Sequence, residues 1–143
     1  MFYPRLLYPQ IRASLNRPEA TVITGMRRTG KTFILNQLFT ETKNNKLMLD
    51  LENRSNHEVF LLPDFDEIWR QLQIQYGLNQ KSKALFFLDE IQNLPLLPSV
   101  IKYLSDHYRI KFIVTGSASF YLKNLFSESL AGRKIIFELF PLT

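Results

Sequence analysis

The chain has 143 residues, a formal net charge of +5, 45% hydrophobic residues and 22% charged residues, which suits one compact globular domain rather than a disordered chain. No apolar run approaches the ~20 residues that cross a bilayer, the first residues lack the apolar core of a secretory signal, and the absence of cysteine excludes disulfides and thiolate metal sites. We therefore expect a cytoplasmic protein without a membrane partner. Its scattered lysines and arginines favour a solvated surface over a nucleic-acid patch.

Strand-like and helix-like segments alternate along the chain, which indicates an α/β layered fold. The strands are predicted where β-branched or continuous apolar runs occur, as is typical of strands buried on both faces. They cover residues 21–24, 47–51, 84–88, 111–115 and 134–140. Apolar residues at helical spacing predict helices after residue 32, over 64–76 and around 100–108, with a short helix at 120–125. Right-handed crossovers would place helices on both faces of one parallel sheet.

The helix that starts at residue 64 has the clearest predicted boundaries. Asp64 is a good N-cap, and Glu67 stands three residues later, as in a capping box. Gly77 suits the C-terminal end.

A glycine-rich motif, GMRRTGKT, joins the first predicted strand to the first predicted helix. It matches the phosphate-binding pattern G-x-x-x-x-G-K-[ST] in every fixed position. Gly25 and Gly30 allow a tight bend that points backbone amides at phosphates. Lys31 is expected to reach the β- and γ-phosphates, and Thr32 to offer a hydroxyl to Mg²⁺. The expected nucleotide-binding residues are Gly25, Met26, Arg27, Arg28, Thr29, Gly30, Lys31, Thr32 and Phe33. Two alternatives stay open for Arg27 and Arg28, which either contact phosphate, a partner subunit or an attached domain, or are solvated.

Two acids, Asp89 and Glu90, follow the third predicted strand. Ligands of open α/β sheets bind at the carboxyl ends of the strands. We expect Asp89 to hold Mg²⁺ beside Thr32, and Glu90 to act as general base toward the attacking water.

Two later positions are further candidates for catalytic roles. Ser117, or as a second choice Thr115, ends the fourth strand and would hold the γ-phosphate or the attacking water. Arg133 would act as an arginine finger on a neighbouring subunit's nucleotide, and the alternative for it is a solvated or structural arginine.

Five motifs occur in one order: GMRRTGKT at 25–32, LDEIQ at 88–92, TGS at 115–117, LAGR at 130–133 and PLT at 141–143. In this order they resemble the prokaryotic AAA+-like ATPases that carry a double-arginine P-loop. The resemblance covers roughly residues 5–143 and implies a P-loop NTPase three-layer sandwich, with a parallel five-stranded sheet of order 5-1-4-3-2. It also implies that residues 1–143 form an ATPase core, that ATP and Mg²⁺ are its cofactors, and that a C-terminal domain, often reminiscent of nucleases, follows.

The leading functional hypothesis is hydrolysis of Mg-ATP coupled to a conformational change in an attached domain or a DNA or protein partner. The alternatives are a nucleotide-dependent binding switch with negligible turnover and a small-molecule kinase. A GTPase is disfavoured because Asn-Lys-x-Asp does not occur. Residues 3–11 are a candidate for the adenine pocket.

Overall fold

Four α-helices and five β-strands form within residues 4–25, 30–43, 45–117 and 134–139, the part of the chain that the computed structural model describes. The helices are α1 (Pro4–Ser14), α2 (Lys31–Glu41), α3 (Phe65–Tyr76) and α4 (Leu97–His107). The strands are β1 (Ala20–Gly25), β2 (Lys46–Asp50), β3 (Ala84–Asp89), β4 (Ile110–Ser117) and β5 (Lys134–Leu139). Short 3₁₀ turns lie at Arg54–Asn56, Glu58–Leu61 and Ile91–Asn93.

The five strands form one sheet in the order β2-β3-β4-β1-β5, and all four pairings are parallel. This confirms the predicted order 5-1-4-3-2. Because the strands are parallel, their carboxyl ends share one edge of the sheet. β4 lies between β1 and β3, so the strand before the glycine-rich motif and the strand before the acidic pair both flank it.

The sheet separates two apolar cores. Neighbouring residues of β3 point to opposite faces, so that Phe86 belongs to one core and Phe87 to the other. The first core contains the buried faces of α3 and α4, and the second contains those of α1 and α2. Helices thus cover both faces, which confirms the predicted three-layer sandwich.

Several predicted boundaries need correction. The helix α1 was not predicted, and the region 52–63, expected to be irregular, contains two 3₁₀ turns. Leu51 lies outside β2, whereas β4 extends two residues beyond Thr115. The predicted short helix at 120–125 and the last residue of the predicted fifth strand, Phe140, lie outside the described residues.

The predicted ends of α3 are confirmed, but its capping box is not. The Asp64 side chain accepts a hydrogen bond from the Asp66 amide at 2.9 Å, and Gly77 ends the helix at φ 65°. The carboxylate of Glu67 contacts Arg70 and Gln71 on the next turn instead of reaching back to residue 64. Within the described segments, no helix combines the length and the apolar character that crossing a bilayer requires.

Candidate functional site

The carboxyl edge of the sheet carries a cavity of about 530 Å³. Among the described residues, its lining combines one lysine with four carboxylates, and it consists of Gly30, Lys31, Thr32, Phe33, Asp50, Glu52, Asp89 and Glu90. The glycine-rich motif and the acidic pair, 57 residues apart at Thr32 and Asp89, are therefore brought together at this edge. Hard oxygen ligands beside a single ammonium group suit a magnesium-bound polyphosphate better than an uncomplexed anion.

Gly30 and Lys31 form the start of α2. Gly30 has φ 91° and ψ 12°, a left-handed conformation that favours glycine. The Lys31 side chain is buried, and its Nζ donates to the Gly25 carbonyl oxygen at 2.7 Å. The same Nζ lies 3.9 Å from Glu90 Oε1. A buried cation therefore stands at a helix N-terminus, where backbone amides and the helix dipole also attract anions.

Thr32 and Asp89 contact each other across the cavity. The Thr32 hydroxyl donates to Asp89 Oδ2 at 3.0 Å, and the Thr115 hydroxyl donates to Asp89 Oδ1. Asp89 is only 6% exposed. Burial raises the pKa of Asp89, and the nearby carboxylates of Glu90 and Asp50 raise this pKa further, against the two hydroxyl donors that lower it. A cation bound here would favour the ionised carboxylate.

Glu90 follows Asp89 in a left-handed conformation, with φ 59° and ψ 54°. Non-glycine residues avoid this region, and it persists where neighbouring contacts fix it. Here the Glu90 amide donates to Thr115 Oγ1 at 3.0 Å, and the Glu90 carbonyl accepts from Asn93 Nδ2 at 3.0 Å. The carboxylate accepts from Gln92 Nε2 at 2.7 Å.

The two hydroxyl candidates on β4 occupy different positions. Thr115 contacts both acids, through the Asp89 carboxylate and the Glu90 amide. Within the described segments, Ser117 is linked to Glu90 through Gln92, whose amide contacts both Ser117 Oγ and Ser117 N at 3.3 Å. The described geometry therefore brings Thr115, the second choice, closer to the acidic pair than Ser117.

Some predicted site residues lie outside the described residues, and some site residues were missed. The former are Met26, Arg27, Arg28, Thr29 and Arg133. The missed residues are Asp50, Glu52 and Gln92. Asp50 carries a signal similar to that of Asp89, an acid at the carboxyl end of an apolar strand, while Gln92 stands in the LDEIQ motif without an assigned role.

The suggested contribution of residues 3–11 to the adenine pocket stays a prediction, because the side chains of residues 3–6 lie outside the described part of the chain. Pro9 lines a separate cavity together with Glu41 and Thr42, at the opposite end of α2 from Lys31.

Comparisons with known proteins bear on the family and the fold of the chain. A family model described as "AAA domain" matches residues 17–143. The chain is 32% identical over 122 residues to the uncharacterized protein MJ1544 of Methanocaldococcus jannaschii, covering 85% of this chain and 26% of that protein. The chain thus spans about a quarter of the length of the curated relatives it matches.

Solved structures share the fold at low identity. The Walker-type ATPase PABY2304 of Pyrococcus abyssi superposes with a TM-score of 0.60 at 18% identity, covering 96% of this chain and 54% of that chain. A chain of the Drosophila ORC bound to DNA gives a TM-score of 0.65 at 10% identity, covering 94% of this chain and 87% of that chain.

Proposed function

The chain belongs to the AAA-domain family, and on that premise we propose that it binds Mg-ATP in the cavity at the carboxyl edge of its sheet and hydrolyses it. One observation carries the proposal. The first two residues of α2, Lys31 and Thr32, face Glu90 and Asp89 at the carboxyl end of β3, with 3.9 Å between Lys31 Nζ and Glu90 Oε1 and 3.0 Å between Thr32 Oγ1 and Asp89 Oδ2.

In the proposed complex, the triphosphate lies against the N-terminus of α2. The left-handed Gly30 allows the backbone to approach the phosphates without a Cβ in the way. Lys31 would exchange its contact with the Gly25 carbonyl for the β- and γ-phosphate oxygens. Phe33 is 65% exposed in the cavity lining and offers an apolar face to the nucleotide.

Thr32 and Asp89 would hold the magnesium ion. Their oxygens are the hard ligands that Mg²⁺ takes in P-loop proteins. When bound, the ion would neutralise charge on the phosphate oxygens. Thr115 keeps Asp89 oriented, because its hydroxyl donates to the carboxylate oxygen that Thr32 does not contact.

Glu90 is the proposed general base, which accepts a proton from the attacking water. Ser117 is proposed to orient the γ-phosphate or that water. Arg133 is proposed to act on the nucleotide of a neighbouring subunit, which would require a homo-oligomer.

Phosphate release from ATP tests this function directly. The parent chain with Mg²⁺ should release phosphate, Lys31→Ala should lose ATP binding, and Glu90→Gln should keep binding while its turnover stops. Equal turnover in Glu90→Gln and the parent would remove Glu90 from this role. ATP binding by the parent with no release above the Lys31→Ala background would favour the alternative of a nucleotide-dependent binding switch. Transfer of phosphate to an added acceptor without release to water would favour the kinase alternative.

We also propose that the nucleotide state is coupled to another domain or to a DNA or protein partner. This is supported by the length of the relatives, of which MJ1544 is matched over 26%. A DNA partner is suggested by the ORC structure, which is described as bound to DNA. Mixing an Arg133→Ala variant with a Glu90→Gln variant tests action between subunits, and a mixture that stays as inactive as its components would contradict a shared site.

A further inference from the structure

Gln92 connects the acidic pair to the end of β4, and its side chain uses both ends of its amide group. Its Nε2 donates to Glu90 Oε2 at 2.7 Å and to Ser117 Oγ at 3.3 Å. Its Oε1 accepts from the Ser117 amide at 3.3 Å. The amide can be oriented in only one way here, because a carboxylate requires a donor and a backbone N–H requires an acceptor.

The local backbone explains why Gln92 occupies this place. The left-handed residue Glu90 turns the chain out of β3 and directly into the 3₁₀ turn Ile91–Asn93. This turn contacts β4. Gln92 therefore lies between the Glu90 carboxylate and Ser117, the last residue of β4.

Glu90 needs a restraint that persists when nucleotide is bound. In the described geometry, Lys31 lies near Oε1 of its carboxylate and Gln92 holds Oε2. In the proposed function, Lys31 contacts the phosphates instead of Glu90, and Oε1 of Glu90 then faces the cavity without this contact. The contact from Gln92 does not compete with the nucleotide, because Gln92 is not among the residues that line the cavity.

We propose that Gln92 is a positioning residue for hydrolysis: it fixes Oε2 of Glu90 relative to Ser117, so that Oε1 faces the attacking water. The proposal rests on the proposed function, in which Glu90 is the general base. A base that is already held in place loses less orientational freedom when the transition state forms, and the reaction is faster for that reason. Because Gln92 also contacts Ser117, it fixes the position of the base relative to the end of β4.

Gln92→Met tests the proposal, because methionine has a similar length but supplies no amide donor. We expect kcat to fall about tenfold, as for the loss of one hydrogen bond to a charged group, while the Kd for Mg-ATP stays within about twofold of the parent. The matched control is Gln71→Met. Gln71 donates to a glutamate, Glu67 Oε1 at 3.0 Å, on the exposed surface of α3, and its loss should leave kcat unchanged.

A second comparison separates positioning from a general effect on the fold. In a Glu90→Gln background, Gln92→Met should lower the residual rate no further, because both changes remove the same function. An undiminished kcat in Gln92→Met alone, or the same fold loss with and without Glu90, would overturn the proposal. Equal rates of Glu90→Gln and the parent would instead show that the proposed role of Glu90 fails, and the role of Gln92 with it.

A spectroscopic readout covers the case of a chain that turns over too slowly to compare. The side-chain NH₂ signals of Gln92 in an NMR spectrum should shift on Glu90→Gln and stay in place on Gln71→Met. Signals of Gln92 that do not respond to Glu90→Gln would also overturn the proposal.

Discussion

Thr115 offers the sharpest test of how the site is held together. Its side chain is fully buried, at 0% exposure. Its hydroxyl donates to Asp89 Oδ1 and accepts from the Glu90 amide at 3.0 Å. Thr115→Val keeps nearly the same shape, so the substitution removes both hydrogen bonds without opening a large cavity.

The expected cost follows from these two contacts. A hydrogen bond to a charged group contributes about 1.5–3 kcal/mol, and a buried N–H left without a partner costs about 1–3 kcal/mol. We expect the free energy of unfolding to fall by about 3 kcal/mol, toward the lower end of the combined cost, because the bond from the Glu90 amide is only partly buried.

Urea unfolding followed by circular dichroism measures this loss, and Thr24→Val is the matched control. Thr24 lies on the neighbouring strand β1, paired with Gly116, and is 2% exposed. Its hydroxyl is buried and has no hydrogen-bond partner within the described residues. Thr24→Val should therefore be neutral or stabilising. Equal losses in the two variants would refute the assignment of Thr115 as the residue that fixes both acids.

Three further outcomes are expected. Burial lowers the pKa of Lys111 from 10.5 to about 8, with Lys83 and Arg17 adding to the effect against Glu19. Because the unfolded chain then binds more protons at this residue than the folded chain between these two pKa values, Lys111 should contribute a rise in the free energy of unfolding over that pH window, and Lys111→Met should remove this contribution in urea titrations. Gly77→Ala should cost about 1 kcal/mol through backbone strain alone, since Gly77 has φ +65° and a Cβ there meets nothing within 4 Å; a loss well above about 2 kcal/mol would contradict this. Chelating Mg²⁺ should weaken ATP binding by about tenfold or more in calorimetry, because four carboxylates line the cavity; unchanged affinity would contradict magnesium-dependent binding.

The strands and the faces they bury were predictable from the sequence because the central strands are apolar on both faces. Phe86 and Phe87 are adjacent in an apolar run and point into different cores, which is the arrangement that such a run indicates. The strand order, by contrast, came from the resemblance to a family, since no local pattern specifies which strands become neighbours.

The boundaries that failed did so for local reasons. Gly116 and Ser117 have the composition of a turn, yet both extend β4 because they pair with Thr24 and Gly25 of β1. In α1, Pro9 obscured a helix whose buried side includes Ile11 and Ser14, three residues apart. Pro9 stands inside this 11-residue helix, where a proline removes one backbone hydrogen bond and argues against a helix when only the sequence is considered.

The site was predictable as a set of residue types and not as a set of contacts. The motif chemistry identified Lys31, Thr32, Asp89 and Glu90, and these lie together in the cavity. The sequence could not indicate that Gln92 bridges Glu90 and Ser117, because that bridge depends on the left-handed conformation of Glu90. Residues with strained backbone conformations are where local rules fail, and such residues concentrate at functional sites.

The carboxylates clustered at the carboxyl edge of the sheet lower the stability of the folded chain. This unfavourable contribution supports the proposed function, because a bound magnesium ion would relieve it. The parallel register of β2 and β3 places Asp50 directly beside Asp89, and the carboxylates of both Asp50 and Glu90 raise the pKa of Asp89, in addition to its burial. Such clustering of like charges destabilises a fold unless a cation is bound. A divalent ion held between Thr32 and Asp89 would reverse the sign of this contribution. The folded chain should therefore gain stability from Mg-ATP, by an amount that rises with the logarithm of the ligand concentration over its Kd, which links the charge repulsion at this edge of the sheet to the ligand that the site is proposed to bind.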